Sequence, residues 1–142
     1  IELVQDGKLD NAFAMVRPPG HHAERAEAMG FCYFNSIAIA AERLITRHGI
    51  ERIAILDFDV HHGNGTQRIF WTDPSVLYFS IHRDGAYPFT GAAEEVGEGA
   101  GRGFTVNVPI DRRVGDRDYA RILAGLLVGY AVWAGWLAIG GE

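Results

Sequence analysis

The sequence predicts an α/β layered domain, and three features carry that expectation. Ile53, Ala54, Ile55 and Leu56 form a short continuous apolar run, the signature of a strand buried on both faces of a parallel sheet. Two further apolar runs of strand length follow, Val76 to Ile81 and Phe104 to Ile110. Ahead of them Ile37, Ala38, Ala41, Leu44 and Ile45 fall on one face of a helix. Helix, strands and loops of these lengths suit layers of helix on sheet.

Each element has its own local signals. Ala12 to Val16 reads as a short strand, and Arg17-Pro18-Pro19-Gly20 then forbids helix and forces a rigid turn that presents His21 and His22. Asn35 is placed to cap the helix that follows, and Gly49 stands just past its end. Asp84 to Gly103 is a loop with six glycines and a Tyr87-Pro88-Phe89 cluster. A loop of that length is either a wall of a binding site or a flexible surface connection. Ile122 to Gly141 is twenty residues without a charge, about 30 Å at helical rise. A membrane span and a buried helix followed by a strand both fit it, and apolar length alone supports the span.

The 142 residues, 48% of them hydrophobic, suit a single domain with a sizeable core. A net charge of -5 argues against direct nucleic-acid binding as the main activity. The one cysteine, Cys32, excludes an intrachain disulfide and suits a reducing compartment; with no signal-peptide pattern, the cytoplasm is the expected location. Ile1 in place of Met and the abrupt end at Glu142 are what a processed or truncated chain would show.

The densest chemistry lies in Asp57-Phe58-Asp59-Val60-His61-His62-Gly63-Asn64-Gly65-Thr66, at the carboxyl end of an expected strand, where ligands of open α/β sheets gather. With a period of two, extended geometry beyond Leu56 puts Asp57, Asp59 and His61 on one side and His62 on the other. Asp59 and His61 then supply two ligands of a catalytic zinc, which typically takes three and leaves a position for water. Of the adjacent His21 and His22, one can accept the proton of that water while the other is tuned by a different partner; Asp57 and Asn64 are the candidate partners. Taken singly, the tandem histidines read as an exposed polar turn, and Asp59 with His61 as a hydrogen-bonded strand end. Their joint occurrence, with Gly63 and Gly65 allowing close backbone approach, favours a metallohydrolase site.

Three ordered motifs resemble the zinc-dependent histone deacetylases and the bacterial histone-deacetylase-like amidohydrolases. They are Arg17-Pro18-Pro19-Gly20-His21-His22-Ala23, Gly30-Phe31-Cys32-Tyr33-Phe34-Asn35 and Asp57 to Gln67. The resemblance runs from about Asn11 to Ile110. The Arg-Pro-Pro-Gly start and Asn64 are more similar to the class II and bacterial branch than to class I, and the acetylpolyamine amidohydrolases are close relatives. The resemblance implies a partial arginase-deacetylase fold, mainly a parallel sheet sandwiched by helices, and hydrolysis of an acetylated lysine peptide or acetylpolyamine. It implies Asp59 and His61 as zinc ligands, His22 as general base, and His21 as electrostatic partner or proton donor. Asp57 would pair with His21 and Asn64 with His22. Gly30, Phe31 and Tyr87 would line the substrate channel. A monovalent cation such as potassium is implied near Asp57 and Ser80, completed by main-chain oxygens of Asp59, His61 and Ile81.

The departures from the family pattern set a second expectation. The aspartate of a Gly-Phe-Asp-type motif, which would be the third zinc ligand, and the tyrosine of a Gly-Gly-Tyr-type loop do not occur before Glu142. Residues 111–142 diverge from the family or are truncated. The chain is therefore expected to be one incomplete domain of a zinc amidohydrolase, inactive alone. The alternatives are a catalytically incomplete module that binds metal or a partner, and a membrane-associated derivative. An oxygen-rich ligand set also accepts iron(II) or cobalt(II), so zinc rests on the resemblance.

Overall fold

The computed structural model describes the backbone of residues 1–133 and the side chains of residues 1–129. After a single turn α1 (Glu2–Gln5), the first long helix is α2 (Ser36–His48). Asn35 caps it, its side-chain oxygen accepting the Ala38 N–H at 3.1 Å. Gly49 ends it in the left-handed region at φ 67°, where its N–H and that of Ile50 reach back to Ile45 and Leu44. Ala38 and Ala41 are buried and Ile45 is partly so, whereas Ile37 is 45% exposed, so the inward face is narrower than the apolar pattern.

Strands β1 (Ile53–Asp57), β2 (Val76–Arg83) and β3 (Thr105–Ile110) form a parallel sheet in the order β1-β2-β3. Every parallel step needs a crossover, supplied by α3 (Asn64–Ile69) after β1 and by the loop 84–103 after β2. Central β2 is buried from Val76 to His82, as its largely apolar run, interrupted only by Ser80, predicts. Ile55, Val76 and Tyr78 pack with Ala38, Ala41 and Phe70 on one face. On the other, Ile122 and Leu126 of α4 (Asp116–Trp133) stand over Leu77, Phe79 and Val106 across a cavity of about 540 Å³.

Two expectations for these segments are corrected. Residues 12–16 form no strand: Phe13 and Met15 are 89% and 88% exposed, and the backbone bond there is the local Val16 N–H to Ala14 C=O. An extended segment becomes a strand only against a partner, and the three described strands pair with one another. Strand β1 is not buried on both faces either. Ile55 points into the core, while Ala54 and Leu56 on the opposite side are exposed, because the cluster with Ala38, Ala41 and Phe70 covers only the Ile55 face. Of the uncharged run Ile122–Gly141, the part beyond 133 lies outside the described residues. Among the described residues no helix is long and apolar enough to cross a membrane.

Candidate active site

The tandem histidines sit where the Pro-Pro-Gly turn docks on the start of α3. The Gly20 N–H donates to Cys32 Sγ at 3.1 Å and the Thr66 N–H donates to the His21 carbonyl at 3.1 Å. A Cβ on Gly65 would stand 2.2 Å from the Ala23 carbonyl oxygen, so only glycine admits this contact. Gly30 plays the same part on the other side, for its Cβ would fall 2.3 Å from the His22 ring.

Beyond Asp57 the chain leaves the strand, and two successive carboxylates curl it. Asp57 Oδ1 accepts the Asp59 N–H at 3.3 Å, and Asp59 Oδ1 accepts the His61 N–H at 2.8 Å. The alternation expected from extended geometry is thereby replaced by turns, with a similar outcome. Asp59 Oδ1 and His61 Nδ1 lie 3.3 Å apart, each side chain 43% exposed, while His62 turns into the interior.

The two tandem rings have opposite surroundings. His21 Nδ1 bonds Asp57 Oδ2 at 2.9 Å; that oxygen also accepts the Tyr78 hydroxyl at 3.1 Å. Burial disfavours the His21 charge, but the bond to Asp57 and the charges of Asp57 and Asp59 outweigh it, holding His21 above the ordinary histidine value. Burial likewise raises Asp57, and is outweighed by His21, the Asp59 N–H and Tyr78, so its carboxyl lies below the ordinary value. His22 Nδ1 instead bonds the neutral Asn64 Oδ1 at 2.8 Å. Burial lowers His22; the Asn64 bond offsets this in part, His21 and His61 add to it, and the net direction is down.

The Asn64 amide can point only one way. Its nitrogen faces three acceptors, Met29 Sδ at 3.0 Å and Glu24 Oε1 and the His22 carbonyl at 3.4 Å each. Its oxygen therefore faces His22, whose Nδ1 must carry the proton, leaving the Nε2 lone pair free. The His21–Asp57 assignment has a direct check. In Asp57→Asn, burial of His21 is opposed only by the weaker charge of Asp59, so its ring titration, followed by NMR, should drop below the parent value; an unmoved titration contradicts the assignment.

Of the other expected positions, Tyr87 stands beside the histidines, and Ser80 beside Asp57. Tyr87 presents its ring edge-on to His22 at 5.1 Å and to His61 at 6.2 Å. Phe31, at φ 62°, projects outward, 93% exposed. Ser80 is the register partner of Asp57, buried, with its Oγ 2.9 Å from His82 Nδ1, and Ile81 follows it on β2. The carboxylate and imidazole of Asp59 and His61 are a donor set that suits zinc. Among the described residues no group of three or more His, Cys, Asp or Glu is placed to hold a metal ion, so the pair fits as two ligands of a larger set.

Sequence reasoning missed Tyr78 and the interior cluster around His62. A tyrosine in a fully buried strand needs a partner for its hydroxyl, a signal that was legible; Tyr78 finds it in Asp57 and the Gly63 carbonyl. His62 bonds Thr90 Oγ1 at 2.8 Å and Gln67 Oε1 at 2.9 Å, and burial pushes it down to about 4. Those contacts span 28 and five residues, and no short-range pattern announces them.

Comparison with known proteins places this geometry. The chain is 56% identical over 127 residues to histone deacetylase 5 of Arabidopsis thaliana, covering 83% of this chain and 19% of that one. It is 54% identical over 123 residues to human histone deacetylase 7, covering 82% and 13%. Among solved structures, the HD domain of HDA15 superposes with a TM-score of 0.85 at 47% identity, over 92% of this chain and 39% of that one. The acetylpolyamine aminohydrolase of Burkholderia pseudomallei superposes with a TM-score of 0.86 at 41% identity, over 94% and 39%. The chain thus spans less than a fifth of these curated relatives and about two fifths of the solved chains. Its three-strand parallel sheet with flanking helices is part of the fold these deacetylases and amidohydrolases share. The histone deacetylase domain profile matches residues 1–133, and the chain belongs to the histone deacetylase family.

Proposed function

We propose that this chain is the central part of a zinc-dependent amidohydrolase that removes the acetyl group from an N-acetylated lysine or polyamine. The observation that carries this reading is the unequal pair of histidines beside Asp59 and His61. One ring is held toward its charged form by Asp57, and the other, its tautomer fixed by Asn64, is kept neutral by burial. Pairs of titratable groups pushed apart by their surroundings mark acid and base assignments.

Asp59 and His61 would hold the ion, with the remaining ligand supplied from outside the described residues. When bound, zinc acidifies water and polarises the acetyl carbonyl. His22, with its free Nε2 lone pair, takes the proton of the attacking water. His21, held toward imidazolium, stabilises negative charge on the reacting carbon's oxygens or donates a proton to the leaving amine. Tyr87 and Phe31, with Gly30 between Phe31 and His22, form the walls along which the apolar stem of the acylated side chain lies. The register pairing of Asp57 with Ser80 supports a potassium site there. The buried, unpaired Cys32 suits a reducing, cytoplasmic setting.

Two kinds of relative support this substrate class, histone deacetylases and an acetylpolyamine aminohydrolase. The test is to assay the protein, extended to the length of the solved relatives, on an acetyl-lysine peptide and an acetylpolyamine. Turnover that stops on chelation and returns with zinc is the expected result. Turnover indifferent to chelation, or none on either substrate, would overturn the reading. A second reading, a metal-binding module without turnover, is favoured by the ligand set, which is incomplete among the described residues.

A further inference from the structure

Behind the site runs a ring of hydrogen bonds, closed through the main chain of Thr90 and Gly91, to which the proposed chemistry gives no role. The loop 84–103 carries Tyr87, and the Glu95 carboxylate ties it down. One Glu95 oxygen accepts the Gly91 and Ala92 N–H groups at 3.0 Å each, and the other accepts the Gln67 side-chain N–H. Gln67, on α3, turns its carbonyl oxygen to His62 Nε2 at 2.9 Å and Asn107 Nδ2 at 2.7 Å. His62, next in the chain to His61, closes the ring by accepting at Nδ1 from Thr90 Oγ1 at 2.8 Å. The loop also lies hard against this cluster, since a Cβ on Gly91 would stand 2.6 Å from both the His62 ring and His82 Nε2. Every donor and acceptor in the ring has its direction set: an amide oxygen only accepts, an amide nitrogen only donates, and a carboxylate only accepts.

We propose that Glu95 and Gln67 are positioning residues, a carboxylate–amide pair that fixes the Tyr87 wall relative to His22 and His61 and so sets how tightly the acylated side chain is gripped. This rests on Tyr87 lining the substrate channel. The pair has a chemical signature that a mere packing contact lacks: its two members can exchange. Glu95→Gln alone sets two amide nitrogens against each other, and rotating the Gln67 amide to relieve this turns its nitrogen toward the donors of His62 and Asn107. Gln67→Glu alone sets two carboxylates together. The double exchange restores every bond in the ring with the roles reversed.

The experiment compares the parent, both single variants and the double exchange in the full-length protein, by hydrogen exchange across residues 86–95 and by steady-state kinetics. Each single variant should speed exchange at Gly91 and Ala92 about tenfold. Each should also raise KM for an acetyl-lysine peptide about tenfold with kcat within about threefold. The double exchange should return both toward the parent, and in a Tyr87→Ala background the KM change should vanish. Glu95→Ala removes all three bonds without juxtaposing like groups and should release the loop even if an exchange variant does not fold. Parent-like exchange in the single variants, a double no better than the singles, or a KM change that persists without Tyr87 would each overturn the proposal. Exchange is read without substrate. The expected exchange pattern in a protein that turns over no acetylated amine therefore upholds the pair while rejecting the deacetylase reading.

Discussion

His22→Ala is expected to lower turnover by roughly 10²–10⁴ while leaving zinc in place, the usual cost of removing a general base. The residue contacts the Asp59–His61 pair only at ring distance, 6.0 Å from His61, so its loss should not empty the metal site. The proposed base role rests on the tautomer that Asn64 fixes and on burial, which lowers His22 even though the Asn64 bond offsets it in part. His22 thus stays neutral to lower pH than an ordinary histidine, and His21 stays charged to higher pH. The acid limb of activity should therefore lie below the ordinary histidine value of about 6.5. Near-parental turnover of His22→Ala on the best acetylated substrate would remove the assignment.

The second large effect concerns the chain by itself. The 142 residues, purified and supplied with zinc, should show negligible turnover on either acetylated substrate. An open catalytic site needs a third ligand to hold the ion and a donor to stabilise the tetrahedral oxyanion. Loss of one such donor typically costs about 10²–10³ in rate, and a missing ligand lowers occupancy as well. The described strands β1 and β3 each have an edge unpaired within the sheet, and Phe13, Met15 and Phe58 are exposed, so the isolated chain should also tend to associate. Metal-dependent turnover within tenfold of the extended protein would show that a residue within the chain, with Asp84 and Tyr87 the first candidates, replaces the missing groups.

What could be read from the sequence follows the range of the interactions. The α2 boundaries were legible because a cap and a left-handed glycine act within a few residues. Strand β2 was legible because burial on both faces leaves a largely apolar run, with Ser80 its one polar residue before His82. The segment 12–16 was misread because its composition suits a strand, whereas strand formation depends on a neighbour that local sequence does not specify. At the site, the convergence of Asp59 with His61 was expected from strand alternation but is produced by two carboxylate turns. The pairing of His21 with Asp57 and His22 with Asn64 spans 36 and 42 residues; it came from family resemblance, and the structure shows both bonds. His62 and Gln67 lie in the Asp57–Gln67 motif, but their link to Glu95, 28 residues beyond Gln67, had no local pattern to announce it.

The central claim is that Asp59 and His61 are half of a hydrolytic metal centre, and elemental analysis of zinc tests it most directly. The extended parent and its Asp59→Ala, His61→Ala double variant would be loaded, dialysed and measured side by side. The account predicts that the double variant loses its zinc, because both donors on this segment are gone and the remaining ligands cannot hold the ion alone. Equal zinc in the two proteins would contradict it.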